Sequence, residues 1–105
     1  MTVSKEDLLA KRFGVEDFEV PELGTFRIRA LTRAQALEIK DREMPVAIAE
    51  QRILSRAVVE PQLSEEDVAE LQAHVPAGLL EPLVDRIATI SGMTKGSPKS
   101  GVSGA

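Results

Sequence analysis

The run FEVPELGTFRIRALTRAQALEI, Phe18 to Ile39, changes its hydrophobic period partway along, and no other stretch of the chain restricts the fold as much. Phe18 and Val20 alternate with Asp17 and Glu19, and Phe26, Ile28 and Ala30 alternate with Arg27 and Arg29. A period of two is that of a half-buried strand. Parity tests the register. A two-residue loop would set Phe18 against Arg27, whereas the loop Glu22-Leu23-Gly24 pairs Val20 with Phe26, Glu19 with Arg27 and Phe18 with Ile28. The faces then match, and Gly24 supplies a left-handed position. A hairpin standing alone is marginal in water. Its apolar face therefore needs helices, and its outer edges stay open to a strand from a partner or a second copy.

LTRAQ then changes the period to that of a helix. Thr32 and Gln35 form a capping box, and the spacing predicts a helix from Arg33 to about Arg42 with Ala34, Leu37 and Ile39 inward. Met44-Pro45 breaks it. Proline disfavours helix in the residue before it and suits the first position of the next one. The next helix is expected from Pro45 to Val59, with Val46, Ala49, Ile53 and Ala57 as its stripe, Leu54 and Val58 on the flank, and Glu50, Gln51, Arg52 and Arg56 on the remaining surface. Glu60-Pro61-Gln62 reads as a link. Ser64 caps a further helix that ends near Ala73, with Leu63 and Val68 as a hydrophobic staple and three acids in its first turn. The last helix carries Leu80, Leu83, Val84, Ile87 and Ile90, with Pro82 in its first turn and Gly92 at its end. Upstream of the hairpin, Ser4 caps a short helix from Lys5 to about Arg12, with Val3 and Leu8 as its staple. Gly14 is its stop.

The expected architecture is α+β and mostly helical: a short N-terminal helix, one hairpin, then about four helices in a small bundle. A chain of 105 residues fits one domain. Residues 1–93 form that domain. Residues 94–105, of Gly, Ser, Lys and Pro with almost nothing apolar, read as a disordered tail resembling a linker. The only aromatics are Phe13, Phe18 and Phe26, so the core is aliphatic. The absence of cysteine excludes disulfides and thiolate chemistry. No apolar run suggests a membrane span or a secretory signal, so the cytoplasm is the expected compartment.

Nothing in the pattern resembles a reactive centre. The lone histidine, His74, falls in a short expected loop, and Glu66 and Glu70 have no further metal-ligand partner. The glycines form no phosphate loop. Charge is uneven: from Thr25 to Val59 basic residues outnumber acids seven to four, and from Glu60 to Asp85 there are seven acids and no base. Arg27, Arg29 and Arg33 cluster on the outer hairpin face and the helix start. No aromatic stands there to stack bases, and the net charge is −4, so nucleic acid is not an expected partner. The expectation is a protein that binds other chains, with no enzyme activity, metal or cofactor. Arg27 and Arg29, and the stripe Leu83, Ile87 and Ile90, are the candidate partner-binding residues. A homo-oligomer is open.

Three stretches carry a family resemblance: VPELGTFRIRALTRAQAL (Val20 to Leu37), EPQLSEEDVAEL (Glu60 to Leu71) and PAGLLEPLVDRIATISGM (Pro76 to Met93). In these the chain resembles the tail assembly chaperones of long-tailed bacteriophages and prophages. The resemblance implies action in the host cytoplasm and absence from the finished virion. It implies that the partners are the tape measure protein, which is kept soluble, and the tail tube protein, which is brought to it. Such chaperones are often made in a short form and a longer frameshifted form, and a chain stopping after a linker-like tail corresponds to the short one. The alternative is a small regulatory adaptor or inhibitor that sequesters a host protein.

Overall fold

The computed structural model describes residues 2–39 and 43–93. Its elements are α1 (Lys5–Ala10), β1 (Val15–Val20), β2 (Gly24–Arg29), α2 (Arg33–Ile39), α3 (Val46–Ala57), β3 (Val58–Glu60), α4 (Glu65–His74) and α5 (Ala77–Ile90). The α+β class expected from the sequence is the one observed. The sheet, however, has three antiparallel strands in the order β1-β2-β3. The expected tail, and the expected end of the second helix at Arg42, lie outside the described residues.

The hairpin has the expected faces and a different register. Phe18 stands opposite Phe26, Asp17 opposite Arg27 and Val20 opposite Gly24. The expected pairing of Val20 with Phe26 is therefore displaced by two residues. Proline explains it. Pro21 has no N–H for the ladder and a fixed φ that suits the first corner of a turn. The chain accordingly reverses directly after Val20, where the Leu23 N–H donates to the Val20 carbonyl at 3.0 Å. Glu22 takes the left-handed position at φ 74°, and Gly24, at φ 120°, opens β2. A shift of two leaves parity intact, so Val20 and Ile28 are fully buried and Phe26 nearly so.

The third strand replaces the expected end of a helix and part of the expected link. α3 stops at Ala57, and Val58 continues directly as β3, with Ile28 opposite Val58 and Arg27 opposite Glu60. Two β-branched valines at a helix end favour extended backbone once a neighbouring strand is within reach. β3 covers the free side of β2, so among the described residues only the β1 edge of the hairpin lacks a neighbouring strand, where both hairpin edges were expected to be open.

Caps behave as the sequence predicts. Thr32 Oγ1 accepts from the Gln35 N–H at 3.1 Å while Gln35 Oε1 accepts from the Thr32 N–H at 2.9 Å. Ser64 and Asp67 form the same reciprocal pair before α4, each bond at 3.0 Å. α5 closes with the Met93 N–H on the Ala88 carbonyl and the Gly92 N–H on the Thr89 carbonyl, with Gly92 at φ 75°. That is the paired closure of a left-handed C-terminal cap.

Helix faces depart from expectation in two places. In α2, Ala36 and Ile39 are buried, whereas Ala34 and Leu37 are exposed. The phase is set before the helix begins: Leu31 is drawn into the core and its N–H donates to Ser91 Oγ at 2.8 Å. In α3, Leu54 and Ala57 are the buried centre, Ala49 and Ile53 pack beside them, and Val46 is exposed. Gln72 draws the polar side of α3 inward, donating to Glu50 Oε1 and the Ala47 carbonyl and accepting from Gln51. Arg56 is not a solvent-facing cover: it joins three helices by bonding Glu38 of α2 at 3.1 Å and Glu65 of α4 at 3.0 Å.

His74 is the last residue of α4 rather than part of a loop. Pro82 lies inside α5, which begins at Ala77, rather than in its first turn. Helix survives there because the carbonyl that loses its donor belongs to Gly78, and both residues are exposed to water. α1 keeps its Ser4 cap, at 3.1 Å from the Asp7 N–H, but ends at Ala10 and buries no residue. The staple residues Val3 and Leu8 are both exposed. The core gathers Val20, Phe26 and Ile28 of the sheet with Leu54, Val68, Leu83 and Ile87 of the helices.

Outside the core, Arg86 of α5 holds β1 through two bonds to Glu16, at 2.6 and 3.1 Å. The hydrogen bond from Arg86, helped by its positive charge and opposed by desolvation, holds the Glu16 carboxyl below its ordinary value of 4.5.

Leu83→Ala and Ile28→Ala should each cost about 2–5 kcal/mol in urea unfolding, and Leu37→Ala less than about 0.5 kcal/mol. Because the Glu16 carboxyl titrates lower when folded, its contribution is complete above the unfolded value and is lost as pH falls through the folded one. Glu16→Gln should therefore lower the urea midpoint at neutral pH and show a smaller further loss than the parent on acidification below the ordinary carboxylate range.

Candidate functional site

Four cationic side chains from three segments gather at one end of the sheet. Lys11 and Arg12 follow α1, Arg29 ends β2, and Arg33 begins α2. β2 and α2 are joined by Ala30, Leu31 and Thr32. The bond from Leu31 to Ser91 Oγ ties this joint to the end of α5, which brings Ile90 beside it. Between these segments lies a cleft of about 650 Å³. Buried Leu31 and half-buried Ile90 give it an apolar floor, and the exposed cations stand at its rim.

The segment from α1 forms one wall. Arg12 turns back and donates to the carbonyls of Leu9 at 3.1 Å and Lys11 at 2.9 Å, a cationic closure of the helix end. Phe13 is 78% exposed, with the Lys11 ammonium 6.0 Å from its ring centroid. Phe13 and Ile90 also line a smaller neighbouring hollow of about 280 Å³, together with Val15 and Glu16.

Among the described residues, none that lines the cleft is acidic. Among the described residues none of the four cations is paired with a carboxylate. Arg27 is different. On the outer face of the sheet it lies between Asp17 of β1 at 3.2 Å and Glu60 of β3 at 3.8 Å. Its charge is answered within the ladder.

Of the residues expected to bind partners, Arg29 and Ile90 therefore meet in the cleft. Arg27 belongs to the ladder, and Leu83 and Ile87 are fully buried in the core, where a partner cannot reach them in this fold. Arg33 joins Arg29 here and not Arg27. Lys11, Arg12 and Phe13 were not singled out by sequence reasoning. The available signal was a short helix whose Leu8 and Leu9 find no core, followed at once by two cations and an aromatic. Among the described residues, no group of three His, Cys, Asp or Glu is placed to hold a metal ion, and no helix is long and apolar enough to cross a membrane. Searches against protein-family models, curated proteins and solved structures returned no match.

The two arginines should separate in stability measurements. Arg27→Glu sets three carboxylates in a row across the strands and should cost about 1 kcal/mol in urea unfolding. Arg29→Glu, opposite Val15, should stay within about 0.5 kcal/mol.

Proposed function

We propose that this protein is a tail assembly chaperone of a long-tailed bacteriophage or prophage. In that role it binds the tape measure protein in the host cytoplasm, keeps it soluble and brings tail tube subunits to it. It works by holding other chains and catalyses no reaction. The observation that carries the reading is the surplus of uncovered apolar side chains at the N-terminal end: Leu8, Leu9, Phe13 and Val15 are exposed beside a cleft with an apolar floor. Long helical partners with apolar stripes are covered reversibly by such surfaces. The three stretches behind the family resemblance support it further. They coincide with joints of the fold: the hairpin with the α2 cap, the α4 cap, and α5 with its closing turn.

Weak contacts suffice for this work, because several copies along one long partner gain by avidity. The test is co-expression with the long helical protein encoded beside this gene. The soluble fraction of that protein should rise, and the two should co-purify. No rescue and no complex would favour the sequestering adaptor instead. The gene itself gives a second readout. A slippery heptamer near the codons for Thr94 to Lys99, with an open −1 frame beyond it, is expected for the chaperone.

A further inference from the structure

The cleft between the α1 segment, the β2–α2 joint and the end of α5 has a chemistry of its own. Lys11, Arg12, Arg29 and Arg33 surround an apolar floor made by Leu31 and Ile90, and no acid lies among the described residues that line it. The protein as a whole carries a net charge of −4. Among the described residues outside the cleft, Arg27 is answered by Asp17 and Glu60, Arg56 by Glu38 and Glu65, and Arg86 by Glu16, whereas Lys5 and Arg52, on separate helices, have no carboxylate partner. Four cations without a carboxylate partner, of which Arg12 is also held by the Leu9 and Lys11 carbonyls, around an apolar floor ask for a ligand with both characters.

We propose that this cleft captures an acidic amphipathic segment of a partner polypeptide, one that seats a large apolar side chain on Leu31 and Ile90 and sets flanking Asp or Glu residues against the rim. The charge pattern selects this occupant. A second copy of the chain is not needed to explain the pattern. A nucleic acid would gain from the cations but has no apolar side chain for the floor. Peptide anchors of this kind draw affinity from the buried apolar group and specificity from the charges around it.

The proposal rests on the reading of the chain as a binding protein but not on the tape measure protein as its partner. A chain that rescues the tape measure protein whether or not the cleft is altered defeats the cleft alone. Acidic peptides captured without such rescue defeat the chaperone reading alone.

The test uses the full chain as bait against a displayed library of random short peptides. Selected sequences should be enriched in Asp and Glu flanking Leu, Ile, Phe or Met. Synthetic copies should bind Arg29→Glu/Arg33→Glu at least about tenfold more weakly, with the parent's affinity falling as salt rises. Phe13→Ser, a change at an exposed wall residue, should also weaken binding. It keeps the test valid should the double variant fail to fold. Selection without an acidic bias, no enrichment over a bait-free control, or affinity indifferent to both variants and to salt would overturn the proposal. So would self-association of the unliganded chain that the arginine variants abolish, which gives the cleft to a second copy. Binding of a single-stranded oligonucleotide that displaces the selected peptides at lower concentration would overturn it too.

Discussion

Val20 and Ile28 cannot stay buried in a two-stranded ribbon, because a ribbon has one face open to water on each side. The fold answers this by laying α5 across the inner face, where Leu83 and Ile87 meet the hairpin side chains in a core with no water-accessible surface at any of the four. Burying such a side chain is worth roughly 1.5–3 kcal/mol. Helix and hairpin form one unit, and the remaining elements are fixed in relation to it. β3 completes the sheet, α3 and α4 close over the core with Leu54 and Val68, and the Glu16–Arg86 pair ties the outer strand to the same helix.

Electrostatics in this molecule divides into two kinds. Although the partly buried Arg52 has no carboxylate partner, three charges that join elements are matched, as Arg56 is by carboxylates from the helices on either side. Such half-exposed pairs contribute little energy each but fix how the helices sit. Around the cleft the same residue types are left unmatched. The difference cannot be put down to composition, since acids outnumber bases seventeen to thirteen over the chain. It comes from placement. None of the acids from Glu60 to Asp85 is among the residues that line the cleft.

What the sequence revealed was what local chemistry decides. The capping box at Thr32 and the cap at Ser64 are set by residues three apart, and both form as expected, with Asp67 adding the reciprocal bond that the sequence reading did not include. Strand faces follow from parity alone. The errors arose where distant contacts choose between local solutions of equal merit. Two hairpin registers that differ by two residues bury the same side chains, and Pro21 decided between them. The phase of α2 depends on Leu31 reaching Ser91, sixty residues along the chain. Val58 and Val59 become a strand only because β2 lies within reach. The cleft was legible only in part. Arg29 and Ile90 were singled out for unrelated reasons, and nothing local says that they share a wall with Lys11 and Phe13.

The uncovered edge of β1 has a consequence for crowding. Read against itself in antiparallel order, the strand VEDFEV brings Asp17 opposite Asp17, Glu16 opposite Glu19, or Asp17 opposite Glu19 in the three most central alignments. Carboxylates face each other in each, which disfavours pairing of two copies along this edge, though Glu16 and Asp17 already hold arginine partners that weaken the repulsion. The strand's own charges thus disfavour the joining of two copies along it into one continuous sheet.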